Sequence, residues 1–127
     1  MTKEEILAME AGKELNKLIG EEIFELEVKD FWPVEPKPNG YSYHMRVSAE
    51  GSGYRQAWDL LPHYSTDISA AWPVVEKLKD YYPKIEFNQY SRKWEVEFLL
   101  CAIALADTAP EAICKAALLA KLEERHD

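Results

Sequence analysis

Residues 84–98 read KIEFNQYSRKWEVEF, and the fold class turns on them. Ile85 and Phe87 alternate with Glu86 and Asn88, and Trp94, Val96 and Phe98 alternate with Glu95 and Glu97. A two-residue period sends successive side chains to opposite faces, so each run is a strand with one apolar and one charged side. QYSR between them turns the chain, which makes an antiparallel hairpin. Its apolar face has to be covered, and the flanking sequence supplies helices to cover it.

Upstream, Ile68, Ala71, Trp72, Val75 and Leu78 recur at helical spacing and predict a core-facing stripe. Pro73 sits inside that stripe, beyond the first turn, and predicts a kink or local break. Downstream, Ala109 to about Glu124 is rich in Ala, Leu, Lys and Glu and predicts a well-formed helix. Its packing face is Ile113, Ala116, Ala117 and Ala120, flanked by Leu119. At the N-terminus Thr2 and Glu5 fit a capping box. Ile6, Met9, Leu15, Leu18, Ile19 and Ile23 follow at helical spacing, with Gly12 dividing a short first turn from a main helix over about Lys13 to Ile23. DFWPVEPKPNG, residues 30–40, is a loop. Tyr41, Tyr43, Met45 and Val47 alternate with Ser42, His44 and Arg46, AEGSG turns, and YRQAWDL returns as a second strand. The order helix, hairpin, helix, hairpin, helix predicts an α+β domain over residues 1–127, its antiparallel hairpins forming a sheet packed by three helices.

The chain has 127 residues, 47% of them hydrophobic and 12% aromatic, with a formal net charge of −8. That suits one folded domain and disfavours nucleic acid, whose phosphates call for a Lys/Arg surface. Nine acids against four bases fall in residues 1–30, read as a solvated helix face. Cys101 and Cys114 lie in apolar surroundings and read as small hydrophobes. The charged opening MTKEEILAME is unlike a signal peptide, and the longest apolar run, Phe98 to Ala106, is too short to span a bilayer. The expectation is a cytoplasmic protein with no membrane association.

HYSTD, residues 63–67, brings His63, Ser65 and Asp67 together in sequence. A triad needs its base beside the nucleophile and its acid behind the base, and so short a loop-to-helix junction cannot arrange them that way. A helix cap accounts for the same residues, with Ser65 or Thr66 accepting from a free N–H and Asp67 facing the positive end of the helix. ADTAPE repeats the pattern: Thr108 and Glu111 fit a capping box, Pro110 lies in the first turn, and Asp107 is placed to tie the loop. If the two helix starts converged on a ligand, Ser65, Thr66, Asp67, Asp107 and Thr108 would line it. Tyr54, Trp58 and Tyr64 are available for stacking, and Arg55 is available for charge along with Arg46, Arg92 and Lys93. His44, His63 and His126 are scattered, and no metal or other cofactor is expected. Trp72 and Trp94 are assigned to the core, and Glu86, Glu95 and Glu97 to the wet side of the hairpin.

PHYSTDISAAWPVVEKLKD (62–80), RKWEVEF (92–98) and ADTAPEAICKAALLAKLE (106–123) together resemble the phage ABA sandwich domain family. LAMEAGKELNKLIGEEIF (7–24) is similar to that family's N-terminal A-G-x-E-L-(D/N)-x-L-(V/I) helix. The likeness covers most of residues 8–124. It departs at Pro73, where the family usually has a helix-favouring residue, and over 31–62, where a loop and an extra hairpin make the segment longer than in many members.

The resemblance implies an α-β-α arrangement and a phage- or prophage-encoded protein made in the bacterial host cytoplasm. It carries over no catalytic residues. The leading expectation is a non-enzymatic accessory protein that acts by binding, in counter-defence, as a homo-oligomer, with a small molecule or a host protein as partner. Three alternatives stay open: a sponge for a nucleotide-like host defence signal, an acidic protein that mimics nucleic acid or inhibits a host protein, and a small hydrolase.

Overall fold

The computed structural model describes the backbone of residues 2–30, 44–47 and 59–125, and the side chains of residues 2–26 and 61–124. In chain order the elements are α1 (Lys3–Ala8), α2 (Lys13–Glu22), β1 (Glu27–Asp30), β2 (His44–Val47), β3 (Asp59–Leu60) and α3 (Ile68–Lys77). A 3-10 turn (Lys79–Tyr81) then leads to β4 (Lys84–Asn88), β5 (Lys93–Phe98), β6 (Ala102–Ala106) and α4 (Ala109–Arg125). The class is α+β, as expected, but the strands form two antiparallel three-stranded sheets, β1-β2-β3 and β4-β5-β6, where a single sheet was expected.

Thr2 caps α1 with both halves of the capping box in place. Gly12 then separates α1 from α2 with φ 144° and ψ −153°, a conformation open to glycine. A Cβ there would meet nothing within 4 Å, so the backbone angle alone selects the residue. Leu15, Ile19 and Ile23 are buried along one face of α2 and its exit. Beyond them Leu26 and Val28 alternate with Glu25, Glu27 and Lys29, a weak period-two signal for β1. β1 pairs with β2 in register Lys29↔Met45, and β2 pairs with β3 in register Met45↔Leu60. The described parts of the upstream hairpin, β2 and β3, pair antiparallel as expected, and β1 adds a third strand; residues 41–43, the AEGSG turn and the return strand through residue 58 lie outside the described residues. The proline-rich loop 31–40 lies outside the described residues.

The downstream hairpin is in the expected register, Ile85↔Val96 and Phe87↔Trp94. Asn88 holds its turn, accepting from the N–H groups of Tyr90 (2.9 Å) and Ser91 (3.1 Å). β6, which the sequence reading missed, adds to β5 with Val96↔Ala104 and Phe98↔Ala102. Val96, Phe98, Ala102, Ala104 and Ala106 are buried on the inner face, while Ile103 and Leu105 point outward. The turn into β6 places Leu99 and Leu100 at φ 59° and 63°. Leu99 N–H donates to the Tyr81 carbonyl (2.6 Å), and Cys101 N–H donates to that of Phe98 (3.3 Å). Cys101 is exposed, contrary to its reading as a buried hydrophobe, because it shares the outward parity of Ile103 and Leu105. Cys114 is buried, which pushes its thiol far above the usual range and leaves it inert.

α4 packs against β5, β6, α1, α2 and α3. Every residue from Ala112 to Ala120 is buried, so the helix is enclosed on all sides and not along a single face as expected. Lys115 is buried within it and donates to the Leu7 carbonyl (3.1 Å) and to Glu111 (2.9 Å), tying the end of α1 to α4. α3 turns Ala71, Val74, Val75 and Leu78 inward and leaves Ile68 and Trp72 exposed, so the expected stripe is rotated and Trp72 is not a core residue. The break expected at Pro73 does not occur; α3 is one helix. Pro73 removes the donor for the Ser69 carbonyl, but both residues face water, which can take that bond.

Because α4 is enclosed, replacing Ala116, which is fully buried, with Leu should cost about 1–3 kcal/mol through overpacking. The same change at exposed Glu123 should stay within about 0.5 kcal/mol. Urea denaturation of the two variants measures the contrast.

Candidate functional site

The start of α3 sends its residues in two directions. The N–H groups of Thr66 (3.2 Å) and Asp67 (3.0 Å) both donate to the His63 carbonyl, winding residues 63–67 into a tight turn. That turn drives Tyr64 and Ser65 into the core and leaves His63, Thr66 and Asp67 outside. Tyr64 stacks on Phe24, with centroids 5.3 Å apart and rings 18° from parallel. It is therefore a packing residue, and its face is not open to a ligand.

Ser65 is fully buried and does not cap α3. Its hydroxyl donates to Asn16 Oδ1 (2.7 Å) and accepts from Gly12 N–H (2.8 Å), and its own N–H donates to the same Asn16 oxygen (2.8 Å). These bonds pin the start of α3 to the start of α2 across some fifty residues of chain. Neither is Thr66 the cap. That role belongs to Asp67, whose carboxylate accepts from Ser69 N–H (2.9 Å) while its carbonyl accepts from Ala70 (3.0 Å) and Ala71 (2.9 Å). The N–H groups of Ser69, Ala70 and Ala71 are thus occupied by the chain itself.

At the start of α4, Thr108 Oγ1 accepts from Glu111 N–H (3.4 Å), but the Glu111 carboxylate turns forward to Lys115, so only half of the expected capping box forms. Asp107 pairs with Lys93 at 2.9 Å, an exposed contact of little energetic weight, in place of the expected loop tie. Of the sequence candidates, Thr66, Asp67, Asp107 and Thr108 are therefore exposed at two helix starts, each committed to its own local geometry. Tyr54, Arg55 and Trp58 lie outside the described residues. Among the described residues no three His, Cys, Asp or Glu side chains gather as a metal-ligand set.

What the sequence reading missed lies beside Asp67. Ile68 and Trp72 are one helical turn apart on α3 and about half exposed, 49% and 51%. Together with Thr66 and Asp67 they present an indole and an aliphatic side chain next to a hydroxyl and a carboxylate. Such a surface suits stacking and hydrophobic contact with a polar anchor at one end.

A second cluster joins Tyr81, Lys121 and Glu124. The Tyr81 hydroxyl donates to Glu124, and Lys121 pairs with Glu124 (3.2 Å). The hydrogen bond from Tyr81 is the main cause that holds the Glu124 carboxyl below its usual range, and the same bond raises the Tyr81 phenol.

A profile of the Phage ABA sandwich domain matches residues 17–118. The chain belongs to that family. The crystal structure of a phage protein from Bacillus cereus ATCC 14579 is similar, with 31% sequence identity and a TM-score of 0.65 over 91% of this chain and 92% of that one. Comparison with curated proteins returns no match. No helix among the described residues is long and apolar enough to cross a membrane.

Three substitutions at the α3 start should separate in stability. Ser65→Ala orphans Gly12 N–H and should cost about 1–3 kcal/mol; Asp67→Ala removes the cap and should cost about 1 kcal/mol. Thr66→Ala should stay within about 0.5 kcal/mol. Chemical denaturation ranks them. For the second cluster, the lowered Glu124 pKa contributes stability above about pH 4.3, lost as pH falls through its folded value. The raised Tyr81 pKa contributes below about pH 10, lost as pH rises through its folded value. The melting-temperature gap between wild type and Tyr81→Phe should therefore hold near neutrality and close towards both extremes. Thermal melts across pH measure it.

Proposed function

We propose that this phage ABA sandwich protein is a non-enzymatic accessory protein that acts by binding, as a homo-oligomer, in the bacterial host cytoplasm. Its role is counter-defence, and its partner is a host protein or a nucleotide-like small molecule that engages α3. The observation that carries this reading is the exposed Ile68–Trp72 pair beside Thr66 and Asp67. Single exposed apolar residues are ordinary on a protein surface, but an exposed tryptophan with an aliphatic neighbour one turn away is the composition of a binding hot spot. The state of Ser65 and Cys114 agrees with it. The Ser65 hydroxyl is held by Asn16 and Gly12, and the Cys114 thiol is desolvated.

Nucleic-acid mimicry or inhibition of a basic host protein is a second reading. It is favoured by the exposed carboxylates Glu4, Glu5, Glu10 and Glu14 on and between α1 and α2. It makes a different demand on the measurement, since its binding is carried by charge and falls steeply with salt.

Native mass spectrometry of the protein recovered from phage-infected cells tests both. Wild type should carry an added mass in fixed stoichiometry, absent from Ile68→Ala/Trp72→Ala, whose melting temperature should be nearly unchanged because both side chains are exposed. An added mass kept by that variant and lost in high salt favours the acidic face. Bare chains from both proteins overturn the binding reading.

A further inference from the structure

We propose that β6 is a self-association edge, along which a second copy of this chain pairs antiparallel to join two β4-β5-β6 sheets into one of six strands. This deepens the homo-oligomer part of the function above and rests on it; it does not depend on what the protein binds.

The first observation is the contrast between the sheet's two edges. Among the described residues β6 pairs with β5 alone, and its other side has no strand partner. Proteins blunt such edges with charges, proline or bulges. Ala102–Ala106, AIALA, has no charge and no proline, and its ladder with β5 runs residue for residue from Trp94↔Ala106 to Phe98↔Ala102 without a bulge. β4, the opposite edge, carries Lys84 and Glu86. Antiparallel pairing of two β4 strands about Glu86 would oppose that carboxylate with its own copy, a destabilising arrangement.

The second observation is what β6 offers on each face. Ile103 and Leu105 are 41% and 42% exposed on the outer face. With Ala104 on a twofold axis, Ile103 stands opposite Leu105 of the second copy, and Leu105 opposite its Ile103. Each exposed side chain then gains a cross-strand apolar neighbour. On the inner face Ala102 meets Ala106 of the second copy and Ala104 meets itself, so nothing bulky obstructs the ladder. An isologous contact of this kind closes at two copies.

The third is charge. A chain of net charge −8 repels its copy wherever acids meet. Glu95 and Glu97 lie one strand back from β6, which sets them roughly 14 Å from their counterparts across the dimer, three strand spacings. That exceeds the screening length of about 8 Å at physiological salt. Asp107, just past the end of β6, is paired with Lys93 of its own chain. The edge is thus the uncharged seam of an otherwise charged sheet face, and it matches a second copy of itself.

Sedimentation equilibrium on wild type, Ile103→Lys/Leu105→Lys and Glu86→Lys tests the assignment. Wild type and Glu86→Lys should have twice the mass of one 14.7 kDa chain. The double lysine variant should have the mass of one chain, with unchanged far-UV circular dichroism, because edge lysines oppose strand pairing. Should the double lysine chain fail to fold, Ile103→Thr/Leu105→Thr keeps strand propensity and should weaken the dimer at least about tenfold, roughly 1.4 kcal/mol. A monomeric wild type overturns the proposal together with the homo-oligomer reading. A dimer that survives the β6 variants overturns the β6 assignment alone and leaves that reading standing.

Discussion

Helix α4 has the β4-β5-β6 sheet on one side and α1, α2 and α3 around the rest, and close approach from so many directions requires a helix of small radius. Ala112, Ala116, Ala117 and Ala120 provide it, and Ala102, Ala104 and Ala106 on the facing strand match it. Interiors pack at crystal-like density, so a wedge this thin sets the positions of its neighbours within narrow limits. Larger side chains, Ile113, Leu118 and Leu119, fill what the alanines leave. Lys115, buried on α4, is accommodated because the end of α1 supplies a carbonyl and Glu111 a counter-ion.

Ser65 complements that wedge from the opposite side of the core. One buried hydroxyl and one amide oxygen satisfy the backbone where two helices begin, so α2 and α3 share an origin. The segment that in sequence most suggested catalysis is therefore divided between structure inside and surface outside. The same division gives α3 a buried face of small and branched residues and an outer face bearing Ile68 and Trp72. Trp72 stays on that outer face because the core is already filled from the other side.

How much of this was legible in the sequence depended on contrast between neighbouring positions. β4 and β5 could be read because charged residues mark their wet face. β6 could not, because Ile103 and Leu105 face outward as apolar as the alanines that face inward, and alternation between two apolar classes carries no polarity signal. The extents of α2 and α4 were readable from caps and propensity to within a residue, whereas α1, expected as a single turn, is a helix of its own. The orientation of α3 was not, since Ile68 and Trp72 extend the apolar stripe beyond what the core can hold. At the candidate site the local pattern announced a helix start but not which residue would cap it. Asn16 and Ser65 meet across 49 positions, and no local spacing encodes such a meeting.

The turn at Leu99 and Leu100 bears on the order in which the molecule assembles. Turn positions at positive φ normally carry Asn or Gly, and leucine in the left-handed region costs about 1–2 kcal/mol. The β4–β5 hairpin closes on a favourable asparagine turn and can form locally within microseconds. The β5–β6 hairpin has no such local incentive, and the inner face of β6 is covered by α4, the last element of the described chain. Pairing of β6 and packing of α4 against its inner face are therefore coupled, so that sheet completion and closure of the core are cooperative by construction.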